Sequence, residues 1–296
     1  MLGWINRLFV NSRRNEQQAS GVPDRGTTVA VTPEPPATVP RGKEVPLDTA
    51  HDAAAALRFS WHGLTDRGSV RPRNEDSFSC VSSAEWSLFV VADGMGGHDA
   101  GDVASRIAVE TVCREIGEGM RQGRGPVGLI EHAVQQANVQ VSSEGELKGS
   151  NMGTTVSLAL LTGSTATIAN VGDSRVYWTQ SGALTQVTQD HSLVASLVTA
   201  GELTKEGARY HPRSNVLYRT VGRPESIAVD TFQIGLNSGD MLLLCTDGLW
   251  GMLGDERIGA TLEEPSDARS ISEKLVALAN AAGGRDNITA VVVKIT

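Results

Sequence analysis

Residues 87–102 read SLFVVADGMGGHDAGD, and the architecture turns on how this stretch is read. Leu88, Phe89, Val90 and Val91 make a short apolar run that reads as a buried strand. The run leads into Asp93, and four of the next eight positions are glycine. A carboxylate at the end of a buried strand must find a partner or keep contact with water. The stretch alone leaves both open.

Outward from it, from about residue 60, the same texture recurs: SFSCVSS, TTVSLALLTG, TATIANVGD, RVYWTQ, ALTQVT, IAVDTFQIG, DMLLLCTDG and ITAVVVKIT. Gly, Asp, Ser and Asn separate these segments, as turns between strands require. Helical periodicity predicts helices over 101–119, 127–141 and 266–282, the last with Ser266 as N-cap and Gly283 as its stop. Sequential strands joined by tight turns pair antiparallel, and helices between groups of hairpins pack outside the sheets. The expectation is an α+β fold, a β-sandwich flanked by helices, rather than an alternating βαβ sheet.

Residues 1–57 differ. They hold 6 of the 11 prolines, including TPEPPATVP, and read as a flexible linker. Their 6 basic and 6 acidic side chains cancel, so the net charge of −8 falls on residues 58–296, the expected folded domain. In residues 1–14, MLGWINRLFVNSRR, Leu2, Ile5, Leu8 and Phe9 share one helical face and Arg7, Arg13 and Arg14 add charge. This reads either as a short amphipathic helix docking on a membrane or partner, or as a frayed terminus. The acidic balance argues against a nucleic-acid binder. Three cysteines, Cys80, Cys113 and Cys245, lie far apart with no C-x-x-C spacing, so neither a disulfide framework nor a structural zinc site is expected. With no apolar run long enough to span a membrane and no secretory leader, a cytoplasmic protein is expected, peripheral at the membrane if residues 1–14 dock.

Acidic residues stand where strands meet loops. Asp93-Gly94 follows SLFVVA, Asp247-Gly248 follows MLLLCT, Asp173 follows TIANVG, Asp286-Asn287 precedes ITAVVV, and Glu75-Asp76 opens SFSCVSS. Each alone is explained as turn chemistry. Together they occupy the positions where a rigid scaffold presents its chemistry. Carboxylates gathered at one place repel one another unless a cation neutralises them, and an all-oxygen set suits Mg²⁺ or Mn²⁺. Gly94 lets the backbone turn so that its carbonyl can also reach an ion. Two such ions are a known arrangement for hydrolysing phosphate esters. Arg71 and Arg73, just before the acidic pair, offer a planar fork of donors for phosphate, or are surface arginines of a Pro-containing loop. His98 has the chemistry to protonate a leaving alkoxide, or is incidental in a polar loop. No P-loop, Gly-x-Ser-x-Gly or His-Glu-x-x-His motif is present.

TDRGSVRPRNEDS, VVADGMGGH, NMGTT, ANVGDSRVY, LTQVTQDHS, NVLYRTVG, LLLCTDGLW and GGRDNITAVVV occur in that order. Over roughly residues 60–296 the chain thus resembles the metal-dependent protein phosphatases of the protein phosphatase 2C type, in their bacterial branch. The resemblance implies a four-layer αββα sandwich and removal of phosphate from phosphoserine or phosphothreonine by water activated at a binuclear Mg²⁺ or Mn²⁺ centre. It implies that Asp93 bridges both ions with the Gly94 carbonyl on one, and that Asp247 and Asp286 complete the second. Glu75 and Asp76 resemble the acidic pair acting on the first ion. Asp173 matches an aspartate that, with Asp247, holds a third, weaker ion in bacterial members. Arg71 matches the phosphate-binding arginine and His98 the proposed general acid, although animal members carry a histidine directly after the Asp-Gly pair, where this chain has Met95. Residues 191–215 lie where the family carries a flap. Phosphorylated proteins, made by a bacterial Ser/Thr kinase, are the implied substrates, and a monomer is expected. The alternative is a catalytically silent member that binds phosphoproteins as a regulator, which loss of Asp93, Asp247 or Asp286 would have favoured.

Overall fold

The computed structural model describes residues 57–96 and 100–296. All of the expected tail except Leu57, including residues 1–14 with their two readings as a short helix or a frayed terminus, and His98 lie outside the described residues. In chain order the strands are Phe59–Asp66 (β1), Asp76–Ser82 (β2), Trp86–Met95 (β3), Gly153–Thr154 (β4), Val156–Thr162 (β5), Thr165–Val171 (β6), Arg175–Gln180 (β7), Ala183–Gln186 (β8), Asp230–Gly235 (β9), Met241–Cys245 (β10) and Ile288–Ile295 (β11). The helices are Ala100–Arg121 (α1), Pro126–Lys148 (α2), Leu193–Thr199 (α3), Lys205–Arg209 (α4), Asp247–Leu253 (α5), Asp255–Leu262 (α6) and Ala268–Ala281 (α7).

One antiparallel sheet runs β1-β11-β10-β7-β8. The other runs β2-β3-β5-β6-β9, also antiparallel, with β4 added at the end of β3. The two sheets face each other across Phe89, Val91, Ile168, Leu242, Leu244, Val291 and Val293. On the outer face of the second sheet, Leu88, Val90 and Leu158 pack beneath α1 and α2. On the outer face of the first, Leu243, Cys245 and Val292 pack beneath α5, α6 and α7. The result is the expected αββα sandwich. The apolar run in β3 is continuous because Leu88 and Val90 meet helices while Phe89 and Val91 meet the opposite sheet, so neither face needs polar residues.

Helix α1 buries Ala104, Ala108, Val112 and Ile116 at four-residue spacing, and its two alanines let it settle closely on β3. Helix α2 extends past the expected 141 to Lys148, where Gly149 ends it in the left-handed conformation at φ 60°. Helix α7 is capped by Asp267, whose carboxylate accepts the Ser270 N–H at 2.7 Å, rather than by Ser266. Strand β1 was not anticipated. It is an edge strand of half-buried and exposed residues, and its pairing with β11 over its whole length supplies what its weak pattern does not. Helices α3 to α6 are too short for a 3.6-residue period to register.

Candidate metal centre

The sheet registers bring the start of β2, the end of β3, the β6–β7 turn, the end of β10 and the start of β11 to one end of the sandwich. Asp93 does not end its strand, as the sequence suggested. It lies where β3 leaves β5 and takes up β4. Its N–H donates to Thr155 Oγ1 at 2.9 Å, and its carbonyl accepts from Thr154 Oγ1 at 2.8 Å and the Thr155 N–H at 2.9 Å. The backbone is thereby pinned. Directly across β2–β3 stands Asp76.

Asp76 is buried, and its Oδ2 accepts from Thr246 Oγ1 at 2.8 Å and Thr289 Oγ1 at 2.6 Å. Its Oδ1 is buried with no hydrogen-bond partner, and so is Oδ1 of Asp247, the first residue of α5. Burial raises the Asp76 carboxyl to about 7, outweighing the hydrogen bonds from Thr289 and Thr246 that lower it, and the charges of Asp247 and Asp286 add a smaller upward push. Asp247 is pushed up to about 6 by burial and then by the charge of Asp286. Asp93 and Asp173 are driven well above the usual carboxylate range, first by burial and then chiefly by Asp247. Asp93 also feels Asp76, Asp173 and Asp286, which places all five aspartates in one electrostatic neighbourhood.

Gly94 is required by contact, because a Cβ there would sit 2.0 Å from the Gly101 carbonyl oxygen and 2.6 Å from that of Glu75. The Gly94 N–H donates to the Glu75 carbonyl at 3.1 Å, and the Glu75 carboxylate lies against Gly101 in the first turn of α1, where the helix dipole favours a negative charge. Arg71 reaches the centre from the 67–75 loop, its Nη2 2.6 Å from Asp286 Oδ2 with half of the side chain exposed. Partial burial works against its charge, but Asp286, with Asp247 and Asp93 behind it, more than compensates.

Two sets of residues were not read from the sequence as functional. Thr246 and Thr289 hold Asp76, and their only signal was their position beside Asp247 and Asp286. Asn287 is buried and fastens the whole 67–75 loop: its Oδ1 accepts the Glu75 N–H at 2.8 Å, while Nδ2 donates to the carbonyls of Arg67 at 2.9 Å and Arg73 at 2.7 Å. Its signal was only the Asp-Asn pair, read as turn chemistry.

Among the described residues no three His, Cys, Asp or Glu side chains enclose an ion unaided. Ions here would draw part of their shell from water and backbone carbonyl oxygen, as Mg²⁺ commonly does. Buried carboxylate oxygens without a partner, mutual repulsion and a donor set of oxygen alone all fit hard divalent cations.

A family model described as protein phosphatase 2C matches residues 68–291. The chain belongs to this family. Among curated relatives of this 2C-type chain, the serine/threonine phosphatase stp of Listeria monocytogenes is 40% identical over 238 residues, 78% of this chain and 93% of that protein. PstP of Mycobacterium tuberculosis is 36% identical over 244 residues, 81% of this chain and 46% of that longer protein. Among solved structures, Stp1 of Staphylococcus aureus superposes with a TM-score of 0.74 at 30% identity, covering 81% of this chain and 96% of that one. The catalytic domain of PstP in complex with two manganese ions gives 0.70 at 32% identity, covering 81% and 99%. No helix among the described residues is long and apolar enough to cross a membrane.

Proposed function

We propose that this 2C-family chain is a Mg²⁺- or Mn²⁺-dependent serine/threonine protein phosphatase that hydrolyses phosphoserine and phosphothreonine in proteins. The observation that carries the reading is the pair of buried, unpartnered carboxylate oxygens on Asp76 and Asp247 beside a half-exposed arginine. Asp93, Asp247 and Asp286 would hold one ion, and Asp93 together with the Gly94 carbonyl would hold a second, which Glu75 and Asp76 would serve partly through water. Asp173 and Asp247 would take a third. When bound, the ions supply Lewis acidity and lower the pKa of water near the phosphoryl group. The chain's own residues do the remainder. Arg71 presents its guanidinium fork to the phosphoryl oxygens, and Asp286 fixes the direction of the fork. Thr246 and Thr289 keep Asp76 from turning away. His98 is proposed to protonate the serine or threonine alkoxide as it leaves.

The substrates are proposed to be proteins phosphorylated by a bacterial Ser/Thr kinase, and the enzyme a cytoplasmic monomer. Docking of residues 1–14 on a membrane is a separate proposal, which fails if their deletion leaves the partition between membrane and soluble fractions unchanged. The test of the function is hydrolysis of a phosphothreonine peptide by the purified chain with added Mn²⁺. Activity that falls by orders of magnitude in Asp93→Asn supports the reading; an inactive parent, or a fully active Asp93→Asn, overturns it.

A further inference from the structure

Asp173 stands at the corner between β6 and β7, and that corner is gripped from several directions. His191 accepts the Gly172 N–H on Nδ1 at 3.0 Å, and its own N–H donates to the Gly172 carbonyl at 2.9 Å. Ser157 Oγ donates to the Ser174 carbonyl at 2.8 Å. A further grip comes from α5: Trp250 Nε1 donates to the carbonyl of Asp173 itself at 3.0 Å. Trp250 belongs to α5, in the same first turn that Asp247 opens. One indole therefore ties together the backbones that carry two carboxylates of the centre.

The orientation of the indole is set in turn. The Arg175 guanidinium carbon lies 3.6 Å from the Trp250 ring centroid, a cation stacked on an aromatic face. Arg175 is only 14% exposed, and its Nε and Nη2 fork onto Asp190 at 3.0, 3.2 and 2.7 Å. Its Nη1 donates to the Tyr177 hydroxyl at 2.7 Å, and that hydroxyl donates to Asp255 at 2.8 Å. The guanidinium is thus clamped on its edges by Asp190 and Tyr177 and on one face by Trp250. A buried ion pair adds little net stability over apolar packing of the same volume. What this one supplies is a fixed geometry.

We propose that Arg175 and Trp250 are positioning residues for the Asp173–Asp247 pair: the stacked guanidinium holds the indole so that its N–H sets the distance between the Asp173 corner and the first turn of α5. The affinity of the ion shared by those two carboxylates is then governed by side chains that never touch it. The inference rests on the functional reading above, because it requires Asp173 and Asp247 to bind a divalent ion.

The test is calorimetric titration of the full-length, metal-stripped chain with Mn²⁺, alongside the Mn²⁺ concentration needed for half-maximal turnover. Trp250→Phe keeps an aromatic ring beside the Arg175 guanidinium but deletes the N–H donor with the pyrrole ring that carries it. Arg175→Met/Asp190→Leu removes both buried charges together, so that neither is left unpaired in a destabilised protein. Asp173→Asn marks which phase of the isotherm belongs to this ion. In Trp250→Phe that phase is expected to weaken roughly ten-fold, the equivalent of one hydrogen bond, with the tighter phase unmoved and the half-activation concentration rising in step. The double variant should weaken the same phase. If Asp173→Asn abolishes the weak phase while both other variants keep it at parental affinity, the inference falls and the functional reading stands. If the parent binds no Mn²⁺, or Asp173→Asn leaves the isotherm unchanged, the reading of Asp173 as a ligand fails and takes the inference with it.

Discussion

Replacing Asn287 with alanine should damage stability and activity together, by amounts that follow from its contacts. The side-chain amide makes three hydrogen bonds to the backbone of one loop, at Arg67, Arg73 and Glu75. Each is worth about 1 kcal/mol net, and the half-exposed loop lets water take up the freed groups, so the loss is about 3 kcal/mol. For a domain of this size that corresponds to a fall of roughly 6–12 °C in Tm. The same loop carries Arg71 and leads into Glu75 and Asp76, so its release should move Arg71, the proposed phosphate-binding residue, off Asp286. A drop of about ten-fold or more in kcat/KM for a phosphothreonine peptide is expected, the size of one lost contact in the transition state. Asn287→Asp should be worse, because a carboxylate keeps the acceptor for Glu75 but faces two carbonyl oxygens that now lack a donor. Differential scanning calorimetry and steady-state kinetics measure both quantities. A Tm within about 2 °C of the parent with kcat/KM unchanged in Asn287→Ala would refute the reasoning, and so would a fully active Asn287→Asp.

Gly94→Ala is expected to abolish activity and lower stability by about 3 kcal/mol or more, since its Cβ would press on two backbone carbonyls that have nowhere to go; urea unfolding and peptide hydrolysis check this. In EDTA, stability should fall as pH rises from about 4 to about 7. Asp76 and Asp247 have folded pKa values of about 7 and about 6, above the ordinary carboxylate value, so the folded state holds protons that the unfolded chain has released. Saturating Mn²⁺ should reverse that slope, because the ion competes with those protons; thermal unfolding at pH 5 and 7.5 with and without metal decides it. Asn138 of α2 accepts the Gly222 and Arg223 N–H groups on Oδ1 at 2.8 Å each and donates to the Arg223 and Glu225 carbonyls at 2.9 Å each. Asn138→Ala should therefore speed hydrogen exchange at the amides of Gly222 and Arg223 by at least about ten-fold, and parental rates would contradict that role.

By itself the sequence determined the layers and the acids. Apolar segments and turn residues carried the two sheets, the 3.6-residue stripes carried α1, α2 and α7, and the carboxylates announced themselves beside glycine and asparagine at the ends of apolar runs. These signals are local, written within a few residues of the feature they specify. The tertiary structure decided which oxygen of each carboxylate is engaged and which is bare. Asp76 is held by threonines 170 and 213 residues away, and the loop bearing Arg71 by an asparagine more than two hundred residues on. Trp250 meets the Asp173 carbonyl across 77 residues. Such contacts depend on the register with which β2, β7, β10 and β11 come to one end of the sandwich, and register is a property of the paired sheets, which no single segment contains. The opening stretch shows the division: its apolar run and its aspartate were legible as buried strand and charge, but only the exchange of β5 for β4 beside β3 explains how Asp93 sits inside a strand and still faces the centre.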